Sequence, residues 1–391
     1  MADGQARTVV IEGELIVRLD CREQRVQQVT VRSTRPMVAA RLLGGKRAGD
    51  AAAMVPKLFS VCAGAQGAGA AAALTAAGAT ECEADLPVRE REVMLESLQD
   101  AFWHLLIDWP NAMGSAPCPT PVASARFAIA ASTRTADGTP RLNDARTRRE
   151  LGMRLSKIAA QAIFGKSPAE WLGLADVDAL RVWCAGRKTV PALLLGQVLA
   201  DEPALCRSTI TLMPPPRPDA LRRCIVPALR SEPAFARAPT WAGAPVETGA
   251  LARMRNQPLV MAVHEAFGNA VVTRIVARLA ELAQLTLELE GTAEGSDGPR
   301  IQSMRLDADE GLATVETARG LLLHRVRLRD ECVVDYQIVA PTEWNFHPGG
   351  ALVRGLEGIE SESERSLIGS ARLAVHALDP CVGFRVELGH A

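Results

Sequence analysis

Aromatic side chains make up only 4% of this 391-residue chain, with a single tyrosine. That scarcity argues against stacking platforms for single-stranded nucleic acid. Net charge is close to zero, at −1, so there is no basic field to hold a phosphate backbone or an anionic membrane. Long apolar runs are also missing. The longest, Ala68 to Ala77, is mostly alanine and glycine and is too short and too weakly hydrophobic to cross a bilayer. The start, Met1-Ala2-Asp3-Gly4-Gln5-Ala6-Arg7, is polar and acidic with no apolar segment behind a basic one, so no secretory signal is expected. Nine cysteines are present, but no two form a Cys-x-x-Cys pair. An odd, scattered set without a secretion signal reads as a reduced cytoplasmic protein with mostly inert core thiols.

Hydrophobic residues make up 48% and charged residues 23%, enough for a substantial core with an ordinary soluble surface. Alternation over residues 8–19 and 25–32, broken by a polar turn at Asp20 to Glu23, predicts a hairpin. Helical spacing follows at 67–78 and at 88–107, where Val93, Leu98, Phe102 and Leu105 share one face. Further helices are expected at about 143–165, 168–184, 189–200, 247–287 and 361–374. Short strands are expected at 301–306, 312–317, 320–328 and 332–339. The proline-rich stretch 213–245 is either a linker or a long connection hugging the surface. The charge-rich segments Asp85 to Glu96 and Glu357 to Arg365 read as solvated helix faces. The run Gly64-Ala65-Gln66-Gly67-Ala68-Gly69 lacks the Gly-Lys-Ser/Thr of a phosphate loop and reads better as close helix packing.

Four segments carry chemistry. Near the start, Cys62 lies in Leu58-Phe59-Ser60-Val61-Cys62, with Phe59 where a Cys-x-x-Cys pair would begin. Near the end, Cys381 lies in Asp379-Pro380-Cys381-Val382-Gly383-Phe384, with Phe384 where a second pair would close. Between them stand Ala318-Arg319-Gly320 and Ala340-Pro341-Thr342-Glu343-Trp344-Asn345. In order and rough spacing these resemble the motifs of [NiFe] hydrogenase large subunits: Cys-Gly-Val-Cys, Ala-Pro-Arg-Gly, Val-Pro-Thr-x-Trp-Asn and Asp-Pro-Cys-x-x-Cys. The pattern, with one cysteine kept from each pair, is similar to the HupK/HoxV family of large-subunit-like hydrogenase maturation proteins.

The resemblance implies an α+β fold with long central helices and small peripheral β-sheets, formed by residues 1–391 as one domain. It implies that Cys62, a bridging position in the large subunit, and Cys381, a nickel-terminal one, converge as metal ligands. Phe59 and Phe384 cannot ligate, so no nickel is expected. Gln66 and Glu387 replace two family histidines, and no carboxylate occupies positions 35–41, where the family's acidic proton relay falls. The iron side looks better kept. Arg319 matches the arginine over the iron's diatomic ligands, Thr342 a hydroxyl that donates to a cyanide, and Ala340 and Pro341 the apolar wall around the carbonyl. The implied function is a non-enzymatic scaffold. It takes a transient Fe(CN)2(CO) unit from upstream maturation factors of the Hyp type and passes it to the apo large subunit of a [NiFe] hydrogenase. The alternatives are a divergent catalytic large subunit and a cofactor-free hydrogenase chaperone. His104 and His347 are read as structural, and His376 and Glu387 as possible accessory ligands near Cys381. The other seven cysteines are read as small hydrophobes.

Overall fold

The structure, a computed structural model, describes residues 13–37, 39–59, 61–133, 144–293 and 298–390. Residues 8–12 of the first expected strand, residue 143 at the start of an expected helix and residues 294–297 of the expected polar loop lie outside that range. Two strands open the chain, β1 (Glu14–Arg22) and β2 (Arg25–Ser33), paired antiparallel through a turn in which Glu23 and Gln24 adopt positive φ. Helices α1 (Ala39–Leu43), α2 (Ala48–Met54), α3 (Ala63–Ala76) and α4 (Leu86–Trp103) follow. The last runs on as a π-helical stretch, His104–Asp108, into α5 (Trp109–Ala112).

The middle of the chain is helical: α6 (Pro119–Thr133), α7 (Ala145–Ala159), α8 (Pro168–Leu172), α9 (Val177–Ala185) and α10 (Val190–Asp201). The single helix expected over 168–184 is two. Gly173 ends the first, and the side chain of Asp176 accepts from the amide of Ala179 to cap the second. Next come β3 (Thr211–Leu212), α11 (Pro218–Cys224), α12 (Val226–Ser231) and β4 (Val246–Glu247), with β3 and β4 paired parallel. Helices α13 (Ala250–Met254), α14 (Pro258–Phe267) and α15 (Val271–Glu290) lead into the meander β5 (Ile301–Asp307), β6 (Glu310–Thr317), β7 (Gly320–Arg329) and β8 (Cys332–Val339). The chain closes with α16 (Pro341–Asn345), α17 (Ala351–Leu356), α18 (Glu364–Leu378) and β9 (Gly383–His390). Strand β9 lies parallel to β1, so the two ends of the chain share one sheet in the order β2-β1-β9.

Helix α15 is the axis of the main core. It is buried nearly all round, surrounded by protein, with charged and polar side chains among its buried residues. Its three buried charges each meet a partner from another element: Arg274 with Glu247 at 2.8 Å, Arg278 with Asp379 at 2.9 Å, and Glu281 with Arg253 at 2.5 Å. Burying a charge is costly unless it is paired, so these contacts fix α15 against β4, α13 and the end of α18 in one arrangement.

The β5–β8 sheet is covered on both faces. Alternate residues of β6 and β7 divide between them: Ala313, Val315, Leu322 and Val326 pack towards α3, while Leu312, Leu321 and Leu323 pack towards Leu221, Ile225, Leu229 and Phe235. Two-sided burial explains the unbroken Leu321-Leu322-Leu323 run. The 213–245 stretch supplies the second cover, with Phe235 edge-on to Trp344 at a centroid distance of 6.3 Å.

Helix α3 lies on the other face with almost no side chains between it and the sheet. A Cβ on Gly69 would fall 2.6 Å from the ring of His324, and one on Gly311 would fall 2.1 Å from the carbonyl oxygen of Ala73. The glycine–alanine run is therefore a packing surface. Gly311→Ala should destabilise the protein by about 1–3 kcal/mol through overpacking. Thermal or urea unfolding monitored by circular dichroism checks this, and an unchanged midpoint would contradict the close approach.

Candidate functional site: two thiols in a cavity between the chain ends

Cys62 occupies the N-cap position of α3, with its backbone carbonyl accepting from the amide of Gln66. The free amides of the first turn of α3 are taken by the carboxylate of Glu96 on α4: Gly64 N at 3.1 Å and Ala65 N at 2.8 Å. Glu96 thus leaves the solvated face expected for Asp85 to Glu96 and caps the helix that carries the first thiol. The side-chain amide of Gln66, one turn along, donates to the sulfur of Cys62 at 3.7 Å.

Cys381 comes from the other end of the chain. Asp379 ends α18 in the left-handed region at φ 53°, and Pro380 follows, so the chain turns sharply out of the helix. The hydroxyl of Thr342 lies 3.1 Å from the sulfur of Cys381 and accepts from its amide at 3.2 Å. Thr342, fixed at the start of α16, therefore holds the thiol from both sides.

Both cysteines line one cavity of about 390 Å³ and a smaller recess of about 20 Å³ behind it. Residues more than three hundred positions apart in sequence thus share a wall. Ala340 lines both spaces. Pro341 and Arg319 line the inner recess, while Thr342 lines neither space and reaches the site through its contact with Cys381. The six residues singled out from sequence therefore fall in one place.

Arg319 is largely but not fully buried, with 12% of its side chain exposed. Asp100 on α4 takes its two terminal nitrogens, at 2.5 and 3.0 Å, and Asp379 lies 3.5 Å from its Nε. Burial works against the charge, but Asp379 and Asp100 more than offset it and raise its pKa. Burial alone would raise the Asp379 carboxyl, yet Arg319 and then Arg278 hold it well below the usual carboxylate range. One N–H of Nη2 donates to Asp100, Nη1 meets the same carboxylate as an ion pair, and the Nε–H makes no hydrogen bond among the described residues. Donor capacity thus remains at the recess.

Burial, followed by the neighbouring Cys381 and Glu96, pushes the Cys62 thiol up to about 12. Cys62 is therefore protonated at neutral pH when no metal is bound, and a metal must displace that proton. Thiolates suit a soft metal fragment, while N–H donors suit anionic ligands on it. Among the described residues, no group of three or more His, Cys, Asp and Glu side chains is placed to hold a metal ion.

The residues sequence reasoning missed are charged. Arg35, beyond the end of β2, donates to the sulfur of Cys381 at 3.4 Å, and its guanidinium lies 5.4 Å from the ring centroid of Phe59. Glu343 lines the cavity at 6% exposure with Oε1 unpartnered among the described residues. A carboxylate inside the buried Pro-Thr-Glu-Trp-Asn segment was a visible signal; Arg35 offered none beyond its charge. Asp100 was hidden on a helix face.

Other expectations resolve plainly. His104 is buried and neutral, its pKa lowered by burial and by Arg278. His347 accepts from the amide of Gly349 in a turn. His376 packs edge-on to Phe384 at 5.0 Å, and burial lowers its pKa to about 4. Glu387 lies on β9 bonded to Arg385 at 2.6 Å, outside the cavity lining.

A mixed body of this kind, with cysteines from its two ends in one cavity, has the architecture of a nickel–iron hydrogenase large subunit. Residues 265–386 match the family described as nickel-dependent hydrogenase. The fold is similar to that of the reduced Ni-Fe-Se hydrogenase of D. vulgaris Hildenborough, with a TM-score of 0.57 at 18% identity over 92% of this chain and 94% of that one. The reduced, active hydrogenase of Desulfomicrobium baculatum gives 0.56 at 18%, covering 93% and 95%. Over nearly the full length, the sequence is 32% identical across 98% of both chains to the hydrogenase expression/formation protein HoxV of Cupriavidus necator, and 30% identical over 97% of this chain and 99% of HupK from Azotobacter vinelandii. The chain belongs to the HoxV/HupK family of hydrogenase expression/formation proteins. None of its helices, among the described residues, is long and apolar enough to cross a membrane.

Burial pushes the Glu343 carboxyl up to about 7, with Arg35 and Arg237 only partly opposing it. A carboxyl whose folded pKa exceeds its unfolded value takes up protons on folding, so it costs stability once pH rises above the unfolded pKa near 4.5. Glu343→Gln should match the wild type below about pH 4. Its advantage should grow through pH 7 to something on the order of 2 kcal/mol. Urea unfolding at several pH values checks this; a pH-independent difference would contradict the buried, protonated carboxyl.

Proposed function

We propose that this protein is a non-catalytic scaffold in the formation of a [NiFe] hydrogenase. It holds an Fe(CN)2(CO) unit through Cys62 and Cys381 and passes it to the apo large subunit. The observation that carries this reading is the meeting of those two thiols, from opposite ends of the chain, in one cavity beside Arg319. Its family membership supports the maturation role. Phe59 and Phe384 stand where a second cysteine of each pair would complete a nickel site, and phenylalanine offers no ligand.

The chain's own residues supply the parts of such a carrier. Cys62 and Cys381 give up protons and bind through sulfur. Arg319 keeps N–H groups for cyanide nitrogens, with its orientation set by Asp100 and Asp379. Ala340 and Pro341 form an apolar wall that suits a carbonyl. Thr342 fixes the sulfur of Cys381. Two metal–sulfur bonds hold less tightly than four, which favours release. Upstream factors of the Hyp type would load the unit, and a carrier with the recipient's own fold could present it in a comparable setting.

Infrared spectroscopy on protein purified from cells that contain the assembly machinery tests this. Cyanide and carbonyl bands are expected in the wild type and should vanish in a Cys62→Ala, Cys381→Ala double variant, with no nickel in either. Their absence from the wild type, or their persistence in the double variant, would overturn the reading. Full hydrogenase maturation by the double variant would point to a cofactor-free chaperone.

A further inference from the structure

Arg35 has no carboxylate within ion-pairing distance among the described residues; its side chain touches the sulfur of Cys381 and the ring of Phe59. Most other charges around the site are engaged. Arg319 is held by Asp100, Arg278 by Asp379, Asp335 by Arg325 at 2.7 Å, and Glu96 by the amides that open α3. Arg237 is exposed at the cavity wall, and Glu343 faces the same space. Arg35 is therefore a cation aimed at sulfur with its charge left over.

Resting on the carrier reading above, we propose that Arg35, steered by the ring of Phe59, is the selectivity residue of the site, favouring an anionic metal complex over a bare divalent cation. The charge count supplies the reason. Divalent iron with two cyanides and a carbonyl is neutral, and two thiolates make the bound assembly a dianion. A bare divalent cation on the same thiolates is neutral. A fixed guanidinium attracts the first; the second offers it no net charge, and the guanidinium N–H on the sulfur of Cys381 competes with the incoming ion for that sulfur. Phe59 then has a positive role. The ring at the position of the absent cysteine carries the guanidinium by a cation–π contact. The backbone is built for this placement: Gly13, at φ +68°, lies so close to Arg35 that a Cβ there would fall 2.5 Å from its Cα.

The test uses two probes that should respond in opposite directions. Cadmium(II) alone, titrated into the metal-free full-length protein against a chelator, is read by thiolate-to-metal absorbance in the ultraviolet. Arg35→Met should bind it about tenfold more tightly than wild type, because a charged N–H donor no longer competes for the sulfur of Cys381. Phe59→Leu should shift the same way by less, and Arg35→Lys should stay near wild type. In infrared spectra of protein from maturation-competent cells, Arg35→Met should lose the cyanide and carbonyl bands and Arg35→Lys should keep part of them. A merely structural arginine would weaken both. Unchanged or weaker cadmium binding in Arg35→Met, or bands at full intensity in that variant, would overturn the proposal. If Arg35→Met does not fold, unchanged cadmium binding in Phe59→Leu does so instead. Absence of bands in the wild type would overturn the carrier reading, while the cadmium comparison still decides the role of Arg35.

Discussion

The chain of buried and largely buried charges Asp100–Arg319–Asp379–Arg278 is the constraint on which the site depends. It joins four places far apart in sequence: α4, the turn before β7, the end of α18 and the core helix α15. Each of these groups would be prohibitively costly to bury alone, because the interior returns little of the hydration a charge gives up. Together they neutralise one another and leave few alternative arrangements. Such a network is weak evidence of stability, since an apolar replacement could do as well. Its value here is positional. Asp379 is pinned two residues before Cys381, and Arg319 is pinned facing the recess both thiols share.

The second support is steric. Helix α3 carries Cys62 at its N-terminus and lies against the β5–β8 sheet through glycine and alanine, so its position is set by backbone contact with few adjustable side chains. Glu96 then fixes the orientation of its first turn. The first cysteine is placed by close packing and a cap, the second by a charge network and the hydroxyl of Thr342. Because β9 continues from Cys381 and pairs with β1, the sheet at the chain ends ties the two systems together.

The phenylalanines at 59 and 384 look at first like simple losses. In the structure each has work: Phe59 lies under Arg35, and Phe384 packs against His376. A site built on two thiols, an arginine and a hydroxyl differs in chemistry from one built on four thiols. Under the carrier proposal, it suits holding and releasing better than turnover.

Much of this was legible in the sequence, and unevenly so. The strands of the meander, with their alternating or continuous apolar runs, and the long helices were readable because their periods depend on neighbours a few residues away. Cys62, Arg319, Ala340, Pro341, Thr342 and Cys381 were readable from the order of their motifs. The break between α8 and α9 and the pairing of β9 with β1 were not, nor were the roles of Arg35, Glu96, Asp100 and Glu343. The sequence by itself determined which side chains at these positions could ligate at all, because a phenylalanine cannot bind metal in any fold. Only the tertiary structure decided which charges face those ligands. An arginine at position 35 and an aspartate at position 100 acquire their meaning from partners that packing brings within about 3 Å, and no local pattern encodes that distance.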